Sequence, residues 1–299
     1  MTPPAHHHDH SPGPAHHDHH PASEADEAGL AEVLELDAEV LGAHLTELAD
    51  WLARSAGPLP VRRILDLGSG TGAGTFTLLR QFEDAEVVAV DNSPYLRRRL
   101  RDRARDLGLA DRVHTVAADL DADWPDFGGV DLVWASAALH HMADADRALR
   151  ETAAALRPGG LLAVVELDGL PRFLPDDLGV GRPGLEARCR AALAGRHAEA
   201  VPLLGSDWGP RLSRAGFTVE AERLFAVELT QPLPPAAGRY AQAVLRRMRG
   251  ALDGRLDAED SAVLDLLIDG DGPENVLLRA DLAVRTERTV WLARRPFSQ

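Results

Sequence analysis

The sequence predicts an α/β protein whose mostly parallel sheet of seven strands carries helices on both faces, with helical additions in the C-terminal third. Short apolar runs alternate with segments of helical periodicity through the middle of the chain, which is typical of strand-helix-strand units. A glycine-rich turn joins the first of these strands to the following helix. In such a sheet the carboxyl ends of the strands meet at one edge, and we expect a ligand crevice there.

The apolar runs predict seven strands, at residues 64–67, 87–90, 113–117, 130–135, 161–167, 218–229 and 289–293. Helical spacing predicts one or two lead-in helices between residues 24 and 56. Further helices are predicted at 75–82, 94–107, 144–156, 185–193, 208–215, 239–252 and 258–267. The chain is thereby divided into a disordered His-rich tail (1–23), a helical lead-in (24–57) and one domain (58–299), with additions at about 168–205 and 231–285.

Composition excludes several classes of function. Hydrophobic residues make up 45% of the 299 positions, but no apolar run approaches the roughly 18 residues that span a bilayer. We expect no membrane association, and a single Cys189 fits the reducing cytoplasm. The chain contains no Lys, which excludes a P-loop nucleotide hydrolase. A net charge of -15 disfavours nucleic acid, and the Arg-rich segment 97–105 is interpreted as a solvated helix face.

The N-terminal tail holds eight of the 13 His residues, in the tract 6–20. Neutral imidazole binds zinc, nickel and copper, but a flexible tract sets no coordination geometry. We therefore expect weak divalent metal binding by the tail at most, and no dedicated catalytic metal site.

The glycine turn spans Asp66 to Gly74 and contains Gly68, Ser69, Gly70 and Gly72. Glycines are needed where the backbone turns sharply and approaches a ligand without an intervening Cβ. By itself the turn does not identify the ligand, because Gly68, Gly70 and Ala73 also satisfy the dinucleotide-binding fingerprint. A dinucleotide cofactor and another nucleoside-containing cofactor both remain open at this point.

Three further motifs follow at successive strand ends. Asp91 closes the second strand, 23 positions after Gly68, and its carboxylate can accept both hydroxyls of a ribose. Asp119 and Leu120 follow the third strand, where an acid can accept an adenine amino group and an apolar side chain can pack on the ring. The fourth strand ends at Ala135 and leads into the turn 139–142, and a Pro-Gly-Gly segment precedes the fifth strand.

With these motifs in this order, the chain resembles the class I S-adenosylmethionine-dependent methyltransferase family over about residues 60–168. It is most similar to the broad small-molecule group that includes the ubiquinone-biosynthesis type. The resemblance implies a Rossmann-like fold, S-adenosyl-L-methionine as cofactor and a small-molecule acceptor. It also implies that these residues bind the cofactor: Asp66, Gly68, Ser69, Gly70, Gly72, Asp91, Asn92, Ser93, Asp119, Leu120 and Ala135.

The resemblance also implies separate roles within this set. Asp66 would lie near the donor's amino group or orient the loop, and the backbone of the glycine turn would contact the methionine moiety. Asp91 would hold the ribose, with Asn92 and Ser93 beside it. Asp119 would hold the adenine, and Ala135 would close the site near the sulfonium.

His140 and His141 are the candidate bases at the mouth of the crevice, because imidazole titrates near neutrality and can take a hydroxyl proton. A packing or donor-contact role is the alternative. We expect O-methylation ahead of N- or C-methylation. Two rival functions remain open. One is an NAD(P)-dependent oxidoreductase, and the other is a non-catalytic metal-binding or regulatory protein that works through its tail.

Overall fold

The structure is a computed structural model that describes residues 23–57 and 60–297. The prediction of a disordered, metal-binding His-rich tail falls almost wholly outside these residues. Within the described ranges, one sheet contains seven strands: β1 (Arg63–Leu67), β2 (Glu86–Asp91), β3 (Val113–Ala117), β4 (Val130–Ser136), β5 (Leu156–Leu167), β6 (Thr218–Leu229) and β7 (Val284–Arg294).

The strands are ordered β3-β2-β1-β4-β5-β7-β6. The first five strands are parallel, and β7 runs antiparallel to both β5 and β6. The mostly parallel, seven-stranded, Rossmann-like sheet is therefore confirmed. The chain reverses its lateral direction between β1 and β4, so the carboxyl ends of these two strands flank the crevice of the sheet.

Two strands begin five residues before their predicted starts. β5 begins at Leu156, which pairs with Val130 ahead of a register shift, and β7 begins at Val284, which pairs with Leu229. Main-chain hydrogen bonds extend these strands beyond the apolar runs on which the prediction depended. The helix predicted at 144–156 accordingly ends at Ala155.

The helices are α1 (Glu24–Val40), α2 (Gly42–Ala56), α3 (Ala73–Gln81), α4 (Pro94–Asp106), α5 (Ala145–Ala155), α6 (Leu185–Ala200), α7 (Gly209–Arg214), α8 (Ala237–Ala251) and α9 (Ala258–Asp269). Polar caps account for several of their starts. Ser23 and Asp26 form a reciprocal capping box at α1, and Ser93 accepts the main-chain N–H of Leu96 at 3.1 Å to start α4. No helix in the part of the chain that the structure describes is long and apolar enough to cross a membrane.

Both faces of the sheet are buried. Ile64 packs on one face with Phe76 and Leu100, whereas Leu65 and Leu67 face the opposite side, as the alternation of a strand requires. A third apolar cluster joins α1 to the additions that contain α6, α8 and α9. The additions therefore have a core of their own, which adjoins the sheet.

A polar contact ties α1 to this third cluster. Arg288 on β7 donates to both carboxylate oxygens of Asp37 on α1, at 2.7 and 2.6 Å, and the Tyr240 hydroxyl donates to the same carboxylate at 2.6 Å. Desolvation and the Asp37 charge both raise the pKa of Tyr240, so its hydroxyl remains a donor. Three distant segments of the chain thus meet at one carboxylate, and α1 is held against α8 and β7.

Candidate functional site

The glycine turn crosses the carboxyl edge of the sheet between β1 and α3. Gly68, Gly70 and Gly72 have φ angles of 67°, 54° and 90°, which favour glycine. A Cβ added at Gly68 would lie 2.7 Å from the Cβ of Ala138. The turn after β4 therefore packs directly on the glycine turn.

The same turn carries polar side chains that lack partners. Ser69 is anchored through its main-chain N–H, which donates to the carbonyl of Val90 at 2.9 Å. Its hydroxyl and that of Thr71 are buried, and neither has a hydrogen-bond partner among the described residues. Buried hydroxyls normally find a partner, so the turn fits a polar ligand that supplies donors and acceptors there.

Asp66 lies beneath this turn and is fully buried. Its carboxylate accepts a hydrogen bond from the hydroxyl of Thr75 at 2.5 Å. Desolvation is the main reason that the pKa of Asp66 rises from 3.8 to about 7. A cationic group brought next to this carboxylate would stabilise its charged form, as an amino group does.

Asp91 closes β2 beside the turn. Its two carboxylate oxygens accept the main-chain N–H groups of Gly70 and Ser93, both at 2.9 Å. Burial raises its pKa, and these two hydrogen bonds oppose the rise. Each carboxylate oxygen has a second lone pair, so ribose hydroxyls can still donate to it. Asn92 is exposed next to it.

Glu27 is a neighbour of Asp91 that sequence reasoning missed. This residue of α1 hydrogen-bonds to the hydroxyl of Ser93, and its charge contributes to the raised pKa of Asp91. Leu34 of the same helix approaches the backbone of Gly70. The lead-in helix therefore covers the glycine turn, and no sequence motif in α1 signals that contact.

The adenine side of the predicted site is less enclosed. Asp119 lies two residues beyond Ala117, which pairs with Asp91 at the end of β3, and its carboxylate accepts the N–H of Asp121 at 3.0 Å. Its side chain is exposed, whereas Leu120 is buried in the apolar cluster on that face of the sheet. Ala135 is buried and paired with Leu67 of β1. The cofactor roles of these residues stay predictions.

The two histidines occupy different environments in the short 3-10 turn Leu139–His141. His140 is buried, and its Nδ1 contacts the buried carboxylate of Glu166, which also accepts the N–H of Leu139 at 3.2 Å. His141 is exposed at its outer edge, with its ring centroid 4.2 Å from that of His140. Desolvation, followed by the charges of His140 and His197, lowers the pKa of His141 to about 4.

Glu166 is the second residue that sequence reasoning missed. It lies next to the end of β5, where an acid interrupts an otherwise apolar run, and that position was the available signal. The turn that it holds begins at Ala137, whose φ of 50° is unusual for a residue with a Cβ. Backbone strain of this kind persists where surrounding contacts enforce it. Glu166 provides two such contacts.

Among residues 23–57 and 60–297, no cluster of three or more His, Cys, Asp or Glu side chains could hold a metal ion. A cavity of about 300 Å³ opens beyond β5, between the strand end and α6. Its lining includes His197 of α6, whose charge contributes to the lowered pKa of His141.

Comparison with known proteins identifies the central part of the chain. Residues 64–160 match a family described as a methyltransferase domain. A malonyl-[acyl-carrier protein] O-methyltransferase of Halorhodospira halophila is 43% identical over 117 residues, covering 38% of each chain. A ubiquinone/menaquinone biosynthesis C-methyltransferase of Vibrio parahaemolyticus is 38% identical over 113 residues, covering 37% of this chain and 43% of its own. The matched region spans about two fifths of the length of these curated relatives.

Two solved structures share the fold. The YcgJ protein of Bacillus subtilis superposes with a TM-score of 0.51 and 15% identity, covering 86% of this chain and 100% of its own. A candidate methyltransferase of Bacillus halodurans C-125 superposes with a TM-score of 0.51 and 18% identity, covering 83% of this chain and 98% of its own. At such identities the likeness concerns the fold alone.

Residues 64–160 therefore match a methyltransferase domain, and the strand order and strand-end motifs agree with the class I S-adenosylmethionine-dependent methyltransferases that the sequence resembles. This class uses S-adenosyl-L-methionine as its cofactor, and the matches favour it over an NAD(P)-dependent oxidoreductase. The matched region ends at residue 160, before Glu166 and α6. What the additions bind is therefore a separate question.

Proposed function

We propose that this chain transfers a methyl group from S-adenosyl-L-methionine to a hydroxyl oxygen of a small-molecule acceptor. The observation that carries the proposal is the buried contact between His140 and Glu166, in the turn that packs on the glycine turn. A hydroxyl needs a base to become a good nucleophile, whereas a carbon or amine acceptor depends on one less directly. O-methylation is therefore favoured over N- or C-methylation.

The cofactor would be held along the carboxyl edge of β1 to β4. When bound, it supplies a methyl group made electrophilic by a positively charged sulfur. The unpartnered hydroxyls of Ser69 and Thr71 and the open glycine turn support its fit. The binding set that we propose is Asp66, Gly68, Ser69, Gly70, Gly72, Asp91, Asn92, Ser93, Asp119, Leu120 and Ala135.

His140 is the proposed base. With Nδ1 directed at the carboxylate of Glu166, the imidazole presents Nε2 as its proton acceptor. The hydroxyl proton of the acceptor would move to Nε2, and the negative charge of Glu166 would stabilise the resulting imidazolium. His141 is a second candidate, because its low pKa keeps it neutral at pH 7 and able to accept a proton.

The names of the relatives are consistent with more than one acceptor atom. One is a malonyl-[acyl-carrier protein] O-methyltransferase, another a 27-O-demethylrifamycin SV methyltransferase of Amycolatopsis mediterranei, and a third a ubiquinone/menaquinone C-methyltransferase. The second is 38% identical over 123 residues, covering 40% of this chain and 43% of its own. The buried base is the reason that we place this chain with the oxygen-methylating enzymes.

The same proposal places the enzyme in the cytoplasm, where the single, buried Cys189 would stay reduced. It assigns the lead-in and the additions to a cap over one catalytic domain, and excludes nucleic acid as the acceptor. Weak metal binding by the His-rich tract 6–20 remains a separate proposal from sequence.

Calorimetric titration with S-adenosylhomocysteine tests the cofactor site. Wild type should bind it, and Asp91→Ala should lower the affinity by about tenfold or more, because hydrogen bonds to a charged group are removed. Asp111→Ala removes an exposed carboxylate outside the crevice and is the matched control. Absence of detectable binding to wild type at millimolar ligand would overturn the proposal. Turnover of a panel of phenols and alcohols, measured as release of S-adenosylhomocysteine, then tests whether the acceptor atom is a hydroxyl oxygen.

A further inference from the structure

The cavity beyond β5 has a simple chemical character. Its walls are formed mainly by small and aliphatic residues of α6 and the loop that follows, including Leu193, Val201 and Leu204. Three lining side chains carry ionisable groups: Asp168, Arg190 and His197. Small-molecule sites typically combine an apolar wall with a few polar groups that orient the ligand, and about 300 Å³ suits a single-ring molecule.

The cavity adjoins the proposed base. Asp168 follows Glu166 by two residues, so the end of the strand that holds His140 continues into the cavity wall. His197 lies on α6 within electrostatic reach of both histidines of the turn: desolvation, Arg196 and then His140 lower its pKa. The cavity therefore lies on the side of the sheet edge that carries the histidine turn.

Arg190 is the feature of the cavity that needs an explanation. Its guanidinium is half-buried, and Nη1 donates to the main-chain carbonyl of Leu170. No carboxylate in residues 23–57 and 60–297 forms an ion pair with it within 4.0 Å. Glu186, one turn earlier on α6, accepts the main-chain N–H groups of Phe173 and Leu174, and the charge of Arg190 acts on it without a direct ion pair and opposes the rise that burial causes in its pKa.

A half-buried guanidinium with unused donors favours a planar anion. Arginine presents its N–H groups in a fork that matches both oxygens of a carboxylate, and such pairs are stronger than neutral hydrogen bonds. Asp168 is the other charged group of the wall, but it is exposed at the mouth, so solvent screens its charge. The guanidinium therefore dominates recognition inside the cavity.

We propose that this cavity is the acceptor site and takes an apolar hydroxy acid whose carboxylate pairs with Arg190 while its hydroxyl reaches toward His140. The inference rests on the proposed function for the identity of the reacting hydroxyl. The carboxylate preference rests on Arg190 and the apolar walls alone. The acid group is an anchor here, and the hydroxyl is the methylated group.

The test compares two phenols that differ in charge: 3-(4-hydroxyphenyl)propionate and 4-(3-aminopropyl)phenol, which replaces the carboxylate with an ammonium group. Calorimetry with the full chain, with and without S-adenosylhomocysteine, should show the acid binding at least about tenfold more tightly than the amine. Arg190→Leu should weaken binding of the acid by about tenfold or more, and Arg190→Lys should weaken it less.

Arg196→Leu is the matched control. Arg196 lies on the same helix and also donates one hydrogen bond from Nη1 to a main-chain carbonyl, that of Ala251, but it is exposed and does not line the cavity. Its replacement should leave binding of both phenols unchanged. Arg190→Lys keeps the proposal testable if Arg190→Leu fails to fold, which the thermal midpoint reveals.

Equal or tighter binding of the amine would overturn the proposal and point to Asp168 as the recognising group. Unchanged acid binding in a folded Arg190→Leu variant would overturn it as well, and so would failure of wild type to bind the acid at all. Failure of the proposed function is distinguishable, because it removes S-adenosylhomocysteine binding while the acid-over-amine preference is measured without that ligand.

Discussion

The two halves of the crevice edge are built in opposite ways. On the glycine-turn side, Asp66 is buried and Asp91 half-buried, and their hydrogen-bond donors come from the turn, from α3 and from the start of α4. On the α6 side, the cavity walls are aliphatic and carry the half-buried guanidinium of Arg190, supplied by a helix far along the chain from the glycine turn. The acidic side suits a cationic cofactor, and the basic, apolar side suits an acidic acceptor.

This difference separates the cofactor side, which the fold class determines, from the α6 side, which the fold class leaves variable. The glycine-turn side lies inside the matched domain, residues 64–160, and depends on short-range contacts. The α6 side lies outside that match, in additions with an apolar core of their own. Specificity can therefore change on one side without disturbing the other, and variants on each side should have separable effects.

The largest effect is expected at Gly68 on the glycine-turn side. Gly68→Ala forces a residue with a Cβ into a left-handed conformation and places that Cβ 2.7 Å from Ala138. We expect a loss of stability of about 2 to 3 kcal/mol and a fall in S-adenosylhomocysteine affinity of about a hundredfold. Urea denaturation and calorimetry measure the two effects.

Gly250→Ala provides the control for that variant. Gly250 lies in α8, is exposed, and a Cβ added there would meet nothing within 4 Å. It should gain up to about 1 kcal/mol of stability and bind S-adenosylhomocysteine as wild type does. Near-normal cofactor affinity in Gly68→Ala would show that the turn does not form the cofactor site.

The next largest effect is the pH dependence of stability that Asp66, the buried acid of the glycine-turn side, produces. The pKa of Asp66 is about 7 in the folded chain against an ordinary value of 3.8, so between these pH values the folded state holds a proton that the unfolded chain has released. The free energy of unfolding must therefore fall as the pH rises through this window, by up to roughly 1.4 kcal/mol per pH unit. The contribution is fully present below pH 3.8 and lost above about pH 7.

Asp66→Asn mimics the protonated carboxyl and should remove this slope. The variant should match wild type near pH 4 and, without cofactor, exceed its stability at pH 8 by up to roughly 4 kcal/mol. Chemical denaturation between pH 4 and pH 8 measures it, with Asp111→Asn as the control for loss of one negative charge. Parallel pH curves for wild type and Asp66→Asn would show that Asp66 does not hold the proton.

Whether a residue of the site could be predicted from the sequence depends on how far apart along the chain its contacting residues lie. The strand, the glycine spacing and Asp91 could be predicted because each belongs to a strand-turn-helix unit readable over a few residues. Glu166 acts on His140 across 26 positions and Glu27 on Ser93 across 66, and no periodicity reports such pairs. The starts of β5 and β7 were misjudged for a related reason, because main-chain pairing at the start of a strand needs no continuous apolar run.

The smallest effect is expected where the two sides meet, at Glu166, a positioning residue that acts through His140. Glu166→Gln keeps the size of the side chain and an acceptor for the N–H of Leu139, but removes the charge beside Nδ1 of His140. We expect kcat for a hydroxyl acceptor to fall by about tenfold, with KM and S-adenosylhomocysteine affinity unchanged, because only charge that develops on the imidazole loses stabilisation.

Glu186→Gln is the matched control for this variant, because Glu186 is also buried and also accepts main-chain N–H groups, but contacts no histidine. It should leave kcat unchanged. A fall in affinity for both ligands in Glu166→Gln, with kcat preserved, would assign Glu166 to the architecture of the turn and leave His140 without its role as base. A fall in kcat alone, which Glu186→Gln does not show, would support His140 as the base that lies between the cofactor side and the acceptor side.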